Sequence, residues 1–261
     1  MQHIAPKDRI IVALDTPDLN TVEEIVHDLA DHVGMVKVGK ELFTAHGPKT
    51  FQTIHHASAS ADHGSMRTMC DLKYHDTPQT VQNAVRAAAP LRPSLLTLHT
   101  GGGRHMLEAA LQGRKEAGAE GDMRLLGVTI LTSLTYDDLE KTGGVPSRED
   151  LKKITDQSPE EYLRALVLKR ARLAQSVGLD GIVASPQEAT EIRAVCGPNF
   201  LIVTPGIRFP DAALQDQKRV GAPDQAIRDG ADYLVIGRPI TQAPDRVAAT
   251  RLFADAIASA I

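Results

Sequence analysis

The feature that most constrains the fold is a regular alternation of short apolar runs with amphipathic stretches. Eight short apolar runs are present, and several are nearly continuous in Val, Ile and Leu, as expected for parallel strands covered on both faces. They lie at Ile10–Leu14, Met35–Val38, Met69–Lys73, Leu95–His99, Leu125–Ile130, Gly181–Ala184, Leu201–Thr204 and Tyr233–Ile236. Helix-like stretches between them include Leu19–Val33, Thr77–Ala89, Gly103–Ala117 and Pro159–Val177. This alternation predicts repeated strand–helix–strand units and a parallel sheet.

The number of these units, together with the chain length, favours closure of the sheet. A (β/α)8 barrel occupies about 250 residues as one unit, and this chain has 261. Trp is absent and aromatic residues make up 3% of the chain, which suits an interior of branched aliphatic side chains. We therefore predict an α/β fold, a TIM barrel, in one domain over residues 1–261. An open doubly wound sheet is the alternative, because periodicity does not show that strand eight meets strand one.

Three segments that connect the predicted strands and helices are notable for their length or polarity. The polar stretch His55–Arg67 is predicted to be a loop before the third strand, and Leu134–Ser158 a long connection that contains one short helix. The segment Gly206–Gly221 is long enough to serve as a lid over a site.

Composition excludes several classes of function. A formal net charge of −4 argues against nucleic acid as the partner, because phosphate-backbone binders usually carry a basic face. Cys70 and Cys196 have no paired spacing, so neither a disulfide framework nor a CxxC zinc site is expected. No signal-peptide core is present, and no apolar run reaches the roughly 18–20 residues that span a bilayer. We expect a cytoplasmic protein that does not bind membranes.

Charged residues follow the predicted strands at their carboxyl ends, where barrels of this kind concentrate function. Asp15 ends the first strand, Lys37 lies in the second, and Asp71 and Lys73 end the third. His99, which ends the fourth strand, and His75 are interpreted as ordinary polar residues. A packed core does not supply such a set of charges, so an active site is expected at this end of the barrel.

The block Asp71–Pro78, DLKYHDTP, is the most informative of these ends. Strand side chains alternate with a period of two, so Asp71 and Lys73 share a face. A buried carboxylate–ammonium pair is weak evidence for stability, which points to a functional use. A structural interpretation stays open: Thr77 and Pro78 are typical of a helix start, and Asp76 suits the positive end of the helix dipole.

A second block, after the last two predicted strands, favours phosphate binding. Arg208 follows strand seven, and Gly237 with Arg238 follows strand eight. Barrels often bind phosphate with these two loops, since glycine admits close backbone N–H groups and arginine adds a charged fork. Gln217, in the candidate lid, is a further phosphate ligand candidate. The alternative is a turn glycine beside solvated arginines.

Five motifs, taken together, resemble bacterial orotidine 5′-phosphate decarboxylases of the type 1 family. They occur in family order from residue 12 to residue 240, and they read VALD at 12–15, VKVGKE at 36–41, DLKYHDTP at 71–78, TPGIR at 204–208 and VIGRPI at 235–240. The sequence departs from the family pattern at an extra Phe209 after Arg208 and in the longer His55–Arg67 region.

The resemblance implies a role for each matching residue. Lys73 would protonate C6 of the pyrimidine, Asp71 would favour loss of the substrate carboxylate, and Lys37 would hold Asp71 and the ribose. Asp76 would complete the charge network, and the remaining substrate contacts would come from Asp15, Thr77, Thr132, Arg208, Gln217, Gly237 and Arg238. It also implies conversion of orotidine 5′-phosphate to uridine 5′-phosphate and CO2 in de novo pyrimidine biosynthesis. No cofactor or metal would take part, and Asp76 and Thr77 would cross a homodimer interface.

Two other functions compete with this interpretation. Related sugar-phosphate lyases and aldolases share the D-x-K-x-x-D pattern but bind magnesium, with a glutamate where this chain has Lys37, and a lysine there repels a cation. A non-catalytic phosphate-binding barrel would tolerate loss of Asp71 or Lys73, yet both are present.

Overall fold

The computed structural model describes residues 4–59, 65–209 and 221–261. Its centre is a closed barrel of eight parallel strands that follow one another in chain order. The strands are β1 Ile10–Leu14, β2 Met35–Val38, β3 Arg67–Tyr74, β4 Leu95–His99, β5 Arg124–Val128, β6 Gly181–Val183, β7 Leu201–Pro205 and β8 Tyr233–Ile236. β1 pairs with β8 as well as with β2, with Ile11 opposite Val235. This pairing confirms the predicted barrel and excludes the open sheet.

The α-helices of the described residues lie along the chain between and after these strands. They are α1 Leu19–Leu29, α2 Lys40–His46, α3 Lys49–Ala57, α4 Pro78–Ala88, α5 Gly103–Glu116, α6 Tyr136–Lys141, α7 Arg148–Ile154, α8 Pro159–Val177, α9 Ala189–Cys196, α10 Pro223–Arg228, α11 Arg238–Thr241 and α12 Arg246–Ala258. Local signals fix their ends. The longest, α8, begins at a capping box of Ser158 and Glu161 and ends at Gly178, whose φ of 96° is in the left-handed region.

The predictions for two connecting segments were wrong in part. α3 extends to Ala57, so the predicted loop at His55–Arg67 begins as helix; its apolar side chains, including Phe51 and Ile54, pack into the core. The connection Leu134–Ser158 contains two short helices, α6 and α7, because Thr135 and Ser147 each cap a helix start. β1, β2, β4 and β8 match the predicted strands at both ends, and the other four differ by one or two residues at an end, the usual uncertainty of element boundaries.

The core has two layers because strand side chains point alternately into and out of the barrel. The inner cluster consists of Ile11, Ala13, Met35, Met69, Leu95, Leu126, Val128, Val183, Val203, Tyr233 and Val235. The outer cluster joins the other strand faces, such as Val12 and Leu96, to the helices. Two residues beyond the inner apolar residues Ala13, Met35 and Met69, the same inward face carries Asp15, Lys37 and Asp71. The alternation thus delivers charged groups to the carboxyl-terminal mouth.

Candidate active site

A cavity of about 570 Å³ opens at the carboxyl ends of the strands. Predicted site residues in its lining are Asp15, Lys37, Asp71, Lys73, Thr132, Arg208, Gly237 and Arg238. A larger cavity of about 960 Å³, lined by residues such as Lys7, Arg9 and Arg67, contains none of the predicted site residues. The carboxyl-terminal cavity is therefore the candidate site.

One wall of this cavity is a chain of alternating charges from β1 to β3. The Lys37 Nζ atom lies 3.0 Å from Asp15 Oδ1 and 3.6 Å from Asp71 Oδ2, and Lys73 Nζ lies 2.7 Å from the same Asp71 Oδ2. A Cβ atom at Gly39 would come within 3.2 Å of both Lys37 Nζ and Asp15 Oδ1, so glycine leaves room for that pair. Two carboxylates and two ammonium groups meet here, as the sequence predicted for Asp71 and Lys73.

The burial of this network differs from one end to the other. Asp71 is 7% exposed and Lys37 is 8% exposed, whereas the Asp15 side chain is 63% exposed. Burial raises the pKa of Asp71, but Lys37, Lys73 and the hydrogen bonds from Lys73 and Thr97 outweigh it, so the pKa lies below its usual value. Asp71 is therefore ionised at neutral pH, a fixed negative charge deep in the mouth.

Lys73 has an unusual backbone for a non-glycine residue. Its φ is 54°, in the left-handed region, and the register between β3 and β4 shifts between Cys70 and Tyr74. Such strain costs on the order of 1–3 kcal/mol and persists only where the surroundings impose it. The predicted meeting of Asp71 and Lys73 thus occurs, but through an irregular strand and not through a regular two-residue repeat.

The sequence reasoning missed Thr97 on β4. Its hydroxyl lies 2.9 Å from Asp71 Oδ1, and its Oγ1 atom lies 3.0 Å from the backbone nitrogen of Lys73. A signal for it existed: Leu95, Thr97 and His99 share the inward face of β4 by the same alternation that selects Asp71. Thr97 lies two residues before the carboxyl end of β4, whereas the sequence predicts site residues only at strand ends.

The opposite wall is formed by the segments after β7 and β8. Gly237 precedes the one-turn helix α11, which begins at the exposed Arg238. Arg208 is 9% exposed, and its backbone N–H donates to the Gly221 carbonyl, while the Gly221 N–H donates to the Gly206 carbonyl. Gln217, the remaining predicted phosphate ligand, lies outside the described residues, as does most of the candidate lid.

The extra residue Phe209 has a structural use. Its ring lies 4.6 Å from the ring of Phe253 on α12, centroid to centroid, with an interplanar angle of 32°. Close aromatic packing of this kind is worth about 0.5–1.5 kcal/mol beyond burial. It anchors the chain directly after Arg208.

Asp76 and Thr77 are placed apart from the other predicted site residues. Both are exposed, and neither lines the cavity. Thr77 occupies the N-cap position of α4 with Pro78 at its first turn, as predicted, although its side chain makes no capping hydrogen bond. Asp76 Oδ1 accepts a hydrogen bond from the Thr77 N–H. The chain alone therefore does not bring Asp76 to Lys73.

His75 and His99 form a pair beside the network, with ring centroids 5.5 Å apart. Burial first, and then electrostatic interactions with His75 and Lys73 among others, lower the pKa of His99 to about 4. His99 is thus neutral at physiological pH, and neither ring lines the cavity.

Two features are absent from the part of the chain that the structure describes. No group of three or more His, Cys, Asp or Glu side chains there is arranged to hold a metal ion. No described helix is both long and apolar enough to cross a membrane.

Comparisons with known proteins agree with the resemblance seen in the motifs. Residues 8–253 match the model of the orotidine 5′-phosphate decarboxylase / HUMPS family. The chain is 44% identical over 257 residues to the orotidine 5′-phosphate decarboxylase of Trichlorobacter lovleyi, a match that covers 98% of this chain and 97% of that protein. The protein of the same name from Pelobacter propionicus is 44% identical over 251 residues, 96% of this chain and 95% of the relative.

Among solved structures, the orotidine 5′-phosphate decarboxylase of Lactobacillus acidophilus superposes with a TM-score of 0.75 at 31% identity. The superposition covers 95% of this chain and 98% of that one. The similarity therefore extends over both walls of the cavity and the barrel that carries them.

Proposed function

The chain belongs to the orotidine 5′-phosphate decarboxylase / HUMPS family, and we propose that it converts orotidine 5′-phosphate to uridine 5′-phosphate and CO2 without a cofactor. Its class, a carboxy-lyase, follows from full-length relatives that carry this name. The family joins orotidine 5′-phosphate decarboxylases with a second group, HUMPS, so family membership alone does not identify the substrate. The observation that carries the proposal is the ionised Asp71 held between Lys37 and Lys73.

The chemistry calls for a positive charge at one ring atom. Loss of CO2 breaks the bond to C6 and leaves its electron pair in the plane of the ring, where the π system does not delocalise it. A fixed ammonium group at C6 stabilises that pair, and electrostatic stabilisation of this kind is usually the largest catalytic contribution. We assign this role to Lys73, whose ammonium proton moves to C6 and is later replaced from solvent.

The neighbouring charges prepare Lys73 for this step. Asp71 accepts a hydrogen bond from Lys73 Nζ and so holds the ammonium group in a fixed direction. Its own negative charge, near the carboxylate of the bound substrate, is relieved of repulsion when CO2 leaves. Lys37 bridges Asp71 to Asp15, which we assign to the ribose because it is the exposed end of the network.

The β7–β8 wall is assigned to the phosphate. Arg208 and Arg238 offer guanidinium groups, and Gly237 leaves the backbone accessible beside them. Thr132, on the segment after β5, is assigned to the pyrimidine, and Gln217 remains a proposed phosphate ligand. Binding energy from the phosphate is then available to hold the ring against the charged wall.

We further propose a homodimer in which Asp76 and Thr77 serve the partner's site. Both residues are exposed just beyond β3, at the start of α4, and are absent from the cavity of their own chain. A twofold arrangement that sets each mouth against the other β3 loop would extend both charge networks.

The biological setting is proposed from the reaction and from the sequence. The product is the pyrimidine nucleotide that ends a de novo synthesis of the ring, and we place the enzyme in the cytoplasm. The two cysteines, Cys70 and Cys196, are free and buried in the structure, as is usual for reduced intracellular thiols.

A direct assay tests the function. Purified protein is incubated with orotidine 5′-phosphate in the absence of added metal, and the loss of substrate absorbance in the ultraviolet is followed. We expect complete conversion to uridine 5′-phosphate with release of one CO2. An unchanged spectrum, with a sugar phosphate consumed instead in the presence of magnesium, would move the assignment to the sugar-phosphate lyases.

A further inference from the structure

We propose that Thr97 is a positioning residue of this reaction, whose hydroxyl sets Lys73 and Asp71 in place relative to each other. The proposal rests on the function proposed above and adds a residue that does not line the cavity. Three groups on two neighbouring strands take part: the Lys73 backbone, the Thr97 hydroxyl and the Asp71 carboxylate.

The direction of the two hydrogen bonds follows from chemistry. A backbone N–H only donates, so Thr97 Oγ1 accepts from Lys73 over 3.0 Å. An ionised carboxylate only accepts, so the single hydroxyl proton of Thr97 goes to Asp71 Oδ1 over 2.9 Å. Accepting one bond polarises the hydroxyl for the other, and each strengthens its neighbour.

The two oxygens of Asp71 are divided between different partners. Oδ2 lies 2.7 Å from Lys73 Nζ and 3.6 Å from Lys37 Nζ, whereas Oδ1 receives the hydroxyl of Thr97. The lysines act on one oxygen and Thr97 holds the other. Rotation of the carboxylate about its Cβ–Cγ bond would break the Thr97 bond and the Lys73 bond together.

Thr97 also stabilises the strained backbone of Lys73, the proposed proton donor. Lys73 has a φ of 54°, and its N–H turns toward β4, where the register of the β3–β4 pair shifts. The Thr97 oxygen satisfies that N–H at the irregular position. Without it, a half-buried donor loses its partner, and the left-handed conformation loses a contact that holds it.

Solvent does not replace this hydroxyl. Thr97 is 0% exposed, and it lies on the inward face of β4 directly above Leu95 of the inner apolar cluster. A side chain that kept the shape but lacked the oxygen would leave Asp71 Oδ1 and the Lys73 N–H without a partner. The effect should therefore reach the reacting ammonium group although Thr97 touches no substrate.

Four variants test the proposal. Thr97→Val keeps the shape and removes the hydroxyl, Thr97→Ala removes it without added bulk, and Thr97→Ser restores it. Thr68→Val is the matched control: Thr68 is also 0% exposed, lies on β3, and its hydroxyl has no hydrogen-bond partner in the structure. Thermal unfolding of each variant shows which ones fold.

We expect Thr97→Val and Thr97→Ala to lower kcat for orotidine 5′-phosphate by about 10- to 100-fold, the cost of one charge-assisted hydrogen bond. KM should change less than about threefold, because these substitutions leave the β7–β8 wall, which is assigned to the phosphate, unchanged. A hydrogen bond to the ionised form lowers a carboxyl pKa, so its loss raises the pKa of Asp71 and moves the acid limb of the kcat profile to higher pH. Thr97→Ser should restore both rate and acid limb, and Thr68→Val should leave both unchanged.

The outcomes separate this inference from the proposed function. If the wild-type protein does not decarboxylate the nucleotide, the function fails and the inference with it. If the wild type is active and a folded Thr97→Val or Thr97→Ala variant keeps its kcat and pH profile, the inference alone is overturned. Loss of activity that Thr97→Ser does not restore also overturns it, since the hydroxyl would then not be the group that matters.

Discussion

The two walls of the cavity are built in different ways. On the β1–β4 side, Lys37, Asp71 and Thr97 are part of strands, are buried, and satisfy one another through short contacts. On the β7–β8 side, Arg208 and Arg238 lie on segments that follow strands, beside glycines. One wall consists of compensating charges, whereas the other offers positive charge and accessible backbone to a ligand.

This difference indicates how the molecule divides its work. Groups that stabilise a transition state must be fixed before the substrate arrives, and strands of a packed barrel fix them best. Groups that bind a phosphate need to attract a dianion and release it with the product. We therefore expect the β1–β4 wall, the strand wall, to determine kcat and the β7–β8 wall, the loop wall, to determine KM. Four changes test this division, from the largest expected effect to the smallest.

Lys73→Ala should have the largest effect. The loss of the proposed proton donor should lower kcat by roughly 10²- to 10⁴-fold or more, while uridine 5′-phosphate should still bind through the β7–β8 wall. Turnover is measured by ultraviolet absorbance, and product affinity by calorimetry. Lys152→Ala, at an exposed position on α7, is the control. Near-wild-type turnover in Lys73→Ala would show that the strand wall does not supply the proton donor.

Asp76→Ala tests whether the strand wall is complete within one chain or needs a residue from a second chain. We expect this variant and Lys73→Ala each to be nearly inactive alone. When the two are unfolded together and reassembled, half of the dimers are mixed. Each mixed dimer then has one site with both lesions and one with neither, so roughly a quarter of all sites should regain activity. If the mixture stays inactive while mixed dimers form, Asp76 serves its own barrel.

Arg238→Ala should affect binding far more than turnover. The guanidinium group contributes roughly 1.5–3 kcal/mol as a charged hydrogen-bond donor, which corresponds to about a 10- to 150-fold rise in KM for the nucleotide. The phosphate-free nucleoside should be affected much less. Arg251→Ala, at an exposed position on α12, controls for the loss of a surface charge. Equal losses with both substrates would mean that Arg238 is structural.

Removal of metal should have the smallest effect. We expect full activity after exhaustive dialysis against EDTA, because the ammonium groups of Lys37 and Lys73 occupy the position where a divalent cation would have to lie beside Asp71. The rate is measured before dialysis, after it, and after magnesium is added back. Activity that vanished and returned only with magnesium would place a metal in the strand wall.

The sequence predicted which charged residues form the strand wall, but not the backbone geometry of that wall. Apolar periodicity located the eight strands, and charges at their ends predicted Asp15, Lys37, Asp71 and Lys73 at one mouth. Periodicity alone did not reveal the left-handed backbone of Lys73, because that conformation depends on the register shift between β3 and β4. The α3 helix was missed at His55 because its polar, Ala- and Ser-rich end resembles a loop, although contacts on its apolar face stabilise it.

The paired backbone bonds at Gly206, Arg208 and Gly221, with the Phe209 ring against Phe253, have an evolutionary consequence. They fasten both ends of the intervening segment to the barrel, so its length is uncoupled from the position of Arg208. Lengthening a segment whose ends are already joined costs little, about 0.6 kcal/mol for each doubling of its length. Descendants of this chain can therefore gain or lose residues between 210 and 220 and keep Arg208, the proposed phosphate ligand, in place.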